Sequence, residues 1–133
     1  MDWQNADLAL FFARKPEAWP LFEAFAGVVF SRLPETVMRV QKTQITFSNR
    51  HVFACVSFLR VRRKSSLPEP HLTITLGLPH PLDSERVAAQ TEPWPGRWTC
   101  HIVIGSEADV DDELVGWLLE AADFAEQKGR KSR

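Results

Sequence analysis

Apolar residues recur at three- and four-residue steps in three stretches of the chain, which is the spacing of a helix with one buried face. These stretches predict a short helix over Asp7–Ala13, a second over Glu17–Leu33 and a third over Asp111–Glu126. Pro20 lacks an amide proton and crowds the carbonyl four residues back, so the second helix is expected to begin near it. Pro34 is expected to end that helix.

Between the second and third helices the period changes to alternation, which predicts strands. Leu72–Leu78 alternates strictly between large apolar residues and Thr or Gly. The other predicted strands are Val37–Gln41, Gln44–Ser48, Val52–Leu59 and Thr99–Ile104. Short links between them indicate antiparallel pairing. The sequence therefore predicts an α+β fold, with about five strands in a mainly antiparallel sheet and the N- and C-terminal helices packed on one face.

The strand alternation assigns side chains to the two faces of the predicted sheet. The face toward the helices is expected to carry Ile45, Phe47, Leu72, Ile74, Leu76, Ile102 and Ile104. The open face is expected to carry Gln44, Thr46, Ser48, Phe53, Cys55, Ser57, Thr73, Thr75, His101 and Val103, with His71 at its margin. A freely solvated face usually carries Lys, Glu and Arg, whereas these side chains are uncharged. We therefore expect this face to contact a loop, a ligand or a second copy of the chain.

Pro79–Trp98 is predicted to be a long connection of about twenty residues without regular structure, which is uncommon in compact domains. It is rich in proline and carries two tryptophans, Trp94 and Trp98, whose indoles favour burial. Three placements remain open for it. It folds back on the open face, it lines a ligand cleft, or it forms a dimer contact.

Basic and polar side chains near the open face predict a site for a small anionic ligand. Guanidinium and ammonium groups hold carboxylate or phosphate, so Lys42 and Arg97 are expected to supply charge. Trp98 is expected to provide a stacking wall and His101 a hydrogen bond. The predicted ligand-binding residues are Arg39, Lys42, Gln44, His71, Arg97, Trp98 and His101. The alternative interpretation is that these charges are solvated side chains of an edge strand, which also discourage aggregation.

Length and composition narrow the class of protein. The chain has 133 residues, of which 44% are hydrophobic and 25% charged, and this fits a single domain over 1–133 with a frayed basic tail at 128–133. Its formal net charge is −1 and no run approaches the ~18 apolar residues of a membrane span. We therefore expect neither nucleic acid nor a membrane as a partner. Two cysteines and no signal-peptide pattern predict a reducing, cytoplasmic compartment.

The residue types for catalysis or metal binding are present, but no motif arranges them. The two cysteines and two of the histidines, His71 and His101, lack metal-site spacing, so no metal and no cofactor is predicted. Whether the chain is an enzyme stays open, with no catalytic residue assigned. An acidic cluster of Glu107, Asp109, Asp111, Asp112 and Glu113 is interpreted as helix capping. The alternative is a site for iron or another hard cation.

A family resemblance is carried by three segments, RVQKTQITF at 39–47, GRWTCH at 96–101 and DDELVGWL at 111–118. They resemble a family of small bacterial proteins with a domain of unknown function, sometimes labelled "predicted transport protein". The resemblance implies an α+β fold akin to the YdhG-like group, whose layered architecture is similar to that of frataxins. It supplies no catalytic or binding residues, and fold likeness does not determine function.

Three functions follow as hypotheses. The first is a non-enzymatic module that binds a small anionic ligand or a protein partner on the open face. The second is a structural homodimer formed through the same face. The third is a frataxin-like iron chaperone that uses Asp109, Asp111, Asp112 and Glu113.

Overall fold

A computed structural model describes residues 5–63 and 66–127, so the predicted tail at 128–133 lies outside the described residues. Within these ranges the helices are α1 (Ala6–Phe12), α2 (Trp19–Arg32) and α3 (Asp112–Gln127). The strands are β1 (Val37–Val40), β2 (Ile45–Ser48), β3 (Val52–Ser57), β4 (Leu72–Leu78), β5 (Val87–Trp94) and β6 (Arg97–Ile104). Short 3-10 helices span Pro16–Ala18 and Glu107–Asp109. None of the described helices combines the length and apolar character that a bilayer crossing requires.

The strands form one antiparallel sheet in the order β1-β2-β3-β4-β6-β5. The described sheet thus has six strands, one more than predicted, because β5 lies within the stretch predicted to be a loop. Pro95 and Gly96 join β5 to β6, and the positive φ of 76° at Gly96 is the conformation that glycine adopts in such a turn. Pro93 is compatible with β5 because an edge strand has one side without ladder hydrogen bonds. The predicted long connection is therefore only the stretch between Leu78 and Val87.

The helices cover one face of the sheet, as predicted. Phe47 on β2 is fully buried, and its ring centroid lies 5.7 Å from that of Phe25 and 6.1 Å from that of Phe30, both on α2. α3 packs against β3 and β4, while Phe11 of α1 stacks on Phe58 at 5.3 Å. The seven side chains predicted to face the helices are all buried, so the assignment of the inner face is confirmed.

Phe53 was placed on the open face by alternation, and that placement is wrong. The β2–β3 register shifts at this point, since Phe47 pairs with Ala54 but Ser48 pairs with Val52. This bulge adds one residue to β3 and turns Phe53 to the helix side, because two residues then oppose one. There Phe53 is buried and lines a cavity with Leu119 and Ala122 of α3.

One end of the open face is covered by the segment that follows β3. Thr73 points to this face yet is fully buried, and its hydroxyl donates a hydrogen bond to the Leu59 carbonyl at 2.7 Å. Arg62 Nη2 reaches the Glu85 carbonyl at 3.4 Å, just before β5 begins. The segment therefore passes over β4 and β6 and leaves the opposite end of the open face uncovered.

Candidate functional site

The uncovered end of the open face contains a groove of about 330 Å³ formed by β1, β2 and the β2–β3 hairpin loop. This volume is at the lower end of the range for small-molecule sites. Its lining residues are Val37, Arg39, Gln41, Gln44, Thr46, Ser48, Asn49, Arg50, His51 and Val52. We call this the open-face groove. Its described lining contains two arginines and one histidine and no carboxylate.

The tight β1–β2 hairpin shapes the floor of the open-face groove. Arg39 pairs with Thr46 across the two strands, which puts both side chains on the open face. Gln41 N–H donates to the Gln44 carbonyl at 2.8 Å, and Gln44 Nε2 donates to Gln41 Oε1 at 3.0 Å. These bonds hold both amide groups beside the Arg39 strand.

The β2–β3 loop that carries Arg50 is anchored to the last turns of α3. Asn49 Nδ2 donates to the Ala122 carbonyl at 2.8 Å. His51 Nδ1 lies 3.0 Å from the Ala125 carbonyl, and because a carbonyl only accepts, Nδ1 carries the proton. Asn49 Oδ1 also accepts from the His51 amide at 3.2 Å. The loop is therefore pre-organised, which reduces the entropy that a ligand would have to overcome at Arg50.

The guanidinium groups of the open-face groove have no ion-pair partner within the described residues. Among the described residues the ion pairs involve His80, which follows β4, and Arg86, which precedes β5. Both strands lie on the far side of β3 from the groove. Arg39 therefore presents its charge to the groove and the solvent, whereas Arg50 lies between this groove and a helix-side cavity whose lining includes Glu35, Asp123 and Glu126.

A larger cavity of about 650 Å³ lies on the helix side, between the C-terminal ends of α2 and α3. Its charged lining residues are of both signs: Arg32, Glu35, Arg50, Asp123 and Glu126. This mixture gives no preference for an anion. The open-face groove is the better candidate for the predicted chemistry.

The structure brings only some of the predicted ligand-binding residues together. Arg39 and Gln44 line the open-face groove, while Lys42 lies in the β1–β2 turn and lines a neighbouring cavity beside α1. Arg97 and Trp98 are on β6, which β3 and β4 separate from β2. Trp98 pairs with Leu78 and packs against the core, so it does not form a stacking wall beside His101 on the open face. The cause is the parity of the strand, since residues 98 and 101 point to opposite sides.

The two predicted histidines lie outside the open-face groove, His101 on β6 and His71 just before β4. His101 Nδ1 lies 2.8 Å from the Thr75 hydroxyl on the open face, and burial lowers the pKa of His101. Burial likewise lowers the pKa of His71, whose Nε2 has no hydrogen-bond partner among the described residues. Both rings are therefore favoured in the neutral form. Over residues 5–63 and 66–127, no group of three or more His, Cys, Asp or Glu side chains is placed to hold a metal ion.

The acidic cluster before α3 is occupied by hydrogen bonds within the chain. Asp109 Oδ2 accepts from the Gly105 and Ser106 amides at 2.8 and 3.1 Å. Asp111 Oδ1 accepts from the Leu114 amide at 3.0 Å and from Arg86 at 2.8 Å. These contacts support the interpretation of the cluster as capping.

Sequence reasoning missed six lining residues of the open-face groove: Val37, Gln41, Asn49, Arg50, His51 and Val52. Asn49–His51 is readable as a hairpin loop from its residue types, but the direction of its side chains is not. The bulge in β3 and the anchoring of the loop on α3 set that direction, and neither leaves a local sequence signal.

No curated protein and no solved structure matches this chain. One protein family matches residues 9–125, and its description is "Domain of unknown function (DUF5655)". The match spans α2 and all six described strands, and it covers α3 up to residue 125. The chain therefore belongs to the DUF5655 family.

Proposed function

We propose that this protein is a non-enzymatic binding module that holds a small anionic ligand in the open-face groove. The observation that carries the proposal is the pair of arginines, Arg39 and Arg50, in a concave lining that contains no carboxylate among the described residues. Within the groove an anion meets positive charge and no carboxylate, and Arg39, which does not line the helix-side cavity with its three carboxylates, is the more available of the two arginines.

The groove chemistry suits a carboxylate or phosphate with a small apolar part. Each guanidinium fork can bind two oxygens of such a group in one plane. Gln44 Nε2 donates one proton to Gln41 Oε1 and offers its second proton on the same lining. Val37, which is 60% exposed, and Val52 add apolar surface at the edge. A ligand that combines these features is small, since the groove has a volume of about 330 Å³.

Thermal unfolding with a panel of anions (phosphate, citrate, succinate and phosphoserine) tests the proposal. A ligand present at a hundred times its dissociation constant should stabilise the fold by about 2.7 kcal/mol. Arg39→Gln combined with Arg50→Gln should remove that stabilisation, because both charges are lost. Arg97→Gln is the matched control, since Arg97 is an exposed arginine outside the groove. Equal responses of the double variant and the wild type, or no response to any anion, would refute the proposal.

The second candidate function is a homodimer formed through the centre of the open face. Cys55, Thr75 and His101 form a row across three neighbouring strands, and all three side chains are uncharged and only partly buried. A second copy could cover this row without burying a charge. Sedimentation at high protein concentration tests this candidate, and a monomer there would exclude it. The variant Thr75→Glu, which introduces a negative charge into this row, should dissociate a dimer that uses this face.

The iron-chaperone alternative draws less support, because Asp109 and Asp111 already accept backbone hydrogen bonds and Asp111 pairs with Arg86. Anaerobic calorimetry with iron(II) or manganese(II) would end this alternative if no heat of binding were found. A bacterial origin, a cytoplasmic location and kinship with the YdhG-like group belong to the same proposal and rest on the sequence alone.

A further inference from the structure

β1 is an edge strand whose outer side carries free main-chain groups. Gln41 N–H bonds to the Gln44 carbonyl, and this fixes which β1–β2 pairs exchange hydrogen bonds. In an antiparallel ladder such pairs alternate, so Val37 and Arg39 bond to β2. Met38 and Val40 then direct their N–H and C=O groups away from β2, toward the open edge of the sheet.

A cavity of about 520 Å³ lies between α1 and the end of this edge. On the helix side it is lined by Asp7, Leu10 and Phe11 of α1 and by Arg14 in the turn that follows the helix. From the sheet it is lined by Val40, Gln41, Lys42 and Thr43. Leu10 is 72% exposed, which is high for a leucine on a helix that packs against the core. We call this cavity the edge groove.

The charge of the edge groove is mainly positive. Arg14 lies in the turn after α1 and Lys42 in the β1–β2 turn, and neither has an ion-pair partner among the described residues. Asp7 is the one carboxylate in the described lining. Arg39 adds a further positive charge beside the same strand, on the open face. An acidic partner is therefore favoured over a basic one.

We propose that the edge groove binds an acidic, extended segment of a protein partner, which joins the sheet as an added strand next to β1. Its main chain bonds to the outward groups of Met38 and Val40, the mode by which exposed sheet edges recognise peptides. Side chains of an added strand alternate between the two faces. Those on the helix side meet Leu10 and Phe11, and those on the open side meet Arg39. The partner is therefore a segment in which apolar and acidic residues alternate.

Charge complementarity also distinguishes this partner from a second copy of the chain. Two β1 edges paired antiparallel around a two-fold axis would bring Arg39 of both copies close together near the middle of the interface. Like charges at such an interface oppose association. β1 also has only four residues, so the added strand is short and its main-chain bonds are few. Specificity then depends on the alternating side chains.

The test uses the full chain and two acetylated, amidated hexapeptides, Glu-Leu-Glu-Leu-Glu-Leu and its basic counterpart Lys-Leu-Lys-Leu-Lys-Leu. Binding is followed by fluorescence anisotropy of a labelled peptide and by amide hydrogen exchange of the protein. We expect the acidic peptide to bind and to slow exchange at Met38 and Val40, whose amides face the open edge. Val37 and Arg39 should change little, because β2 already protects their amides.

Two variants probe the walls of the edge groove. Leu10→Asp and Lys42→Glu should each weaken binding of the acidic peptide by about tenfold or more. Both positions are exposed, so these changes leave the core intact. Arg97→Glu is the matched control and should bind like the wild type, because Arg97 lies on a different strand. Folding of each variant is checked by its thermal transition.

Three results would overturn this inference. One is peptide binding that leaves exchange at Met38 and Val40 unchanged, and another is equal binding of the basic peptide. The third is a peptide-free dimer, detected by sedimentation, in which the Met38 and Val40 amides are already protected. The two proposals share Arg39, but Lys42 belongs to the edge groove alone, since it does not line the open-face groove. Anion binding that persists in Lys42→Glu therefore separates the two proposals.

Discussion

Replacing Arg86 by methionine should destabilise the fold, because this side chain ties the start of β5 to the acidic segment before α3. Its Nη1 lies 2.8 Å from Asp111 Oδ1 and 3.1 Å from Glu113 Oε1, and its Nη2 donates to the Asp109 carbonyl at 2.6 Å. The guanidinium also lies 5.7 Å from the centre of the Trp117 ring. Methionine keeps most of the apolar stem and removes all four interactions.

The magnitude follows from the exposure of each partner. The Arg86 side chain is 24% exposed, so its bond to the Asp109 carbonyl is partly shielded and contributes about 1.5 kcal/mol. Asp111 and Glu113 are half exposed, so each ion pair contributes only about 0.5 kcal/mol. The Trp117 contact adds about 0.5 kcal/mol. We expect a loss of about 3 kcal/mol, which lowers the melting temperature by about 10 °C for a domain of this size.

Urea denaturation of both proteins measures this loss. Arg86→Lys should lose about half as much, since lysine keeps the charge but not the planar fork. Arg62→Met is the matched control and should change stability by less than about 0.5 kcal/mol, because Arg62 is exposed and makes one long hydrogen bond. In 1 M salt the Arg86→Met loss should shrink by up to about 1 kcal/mol through screening of the ion pairs. A loss no larger than that of Arg62→Met would refute the reasoning.

Two further predictions concern a pH-dependent contact and two glycines. Hydrogen bonds from the His80 ring to the Pro81 carbonyl and to Glu120 raise the pKa of His80 in the folded protein. The stabilisation by these bonds is therefore complete below 6.5, the pKa of histidine in the unfolded chain, and it is lost as the pH rises through the raised pKa of the folded state. His80→Ala should therefore lower the free energy of unfolding by up to about 1 kcal/mol at pH 5.5, since the contact is solvent-exposed, and by little at pH 8.5. Denaturant titrations at the two pH values measure this, and equal losses would contradict it. Gly105→Ala should cost about 1–3 kcal/mol, because the new methyl would lie 2.6 Å from two ring carbons of Pro68. Gly116→Ala should instead stabilise the fold by up to about 1 kcal/mol, because Gly116 lies on an open part of α3 and its new methyl would have no atom within 4 Å. Thermal scans that shift the melting temperature in the same direction for both alanine variants would contradict the packing argument.

Part of the candidate site could be predicted from the sequence. The cluster of Arg39 and Gln44 follows from one hairpin, because a two-residue turn brings neighbours in sequence together. Arg50 joins the same groove through a bulge in β3 and a loop anchored 73 residues away on α3, which are long-range effects. The Pro95–Gly96 pair is a local sequence signal for the turn of the β5–β6 hairpin. The prolines around it led to the prediction of an irregular loop instead. The edge position of β5, which only the tertiary structure reveals, makes its proline compatible with a strand.

The sequence by itself determined the helices, the strands β1 to β4 and β6, and the buried face of the sheet. These depend on hydrophobic periodicity, which acts between residues a few positions apart. Only the tertiary structure decided the strand order, the sixth strand, the covered end of the open face and the two grooves beside β1. Those features depend on which distant segments pack together. The free energy of that packing belongs to the assembled core, so no short window of the sequence carries a pattern that predicts it.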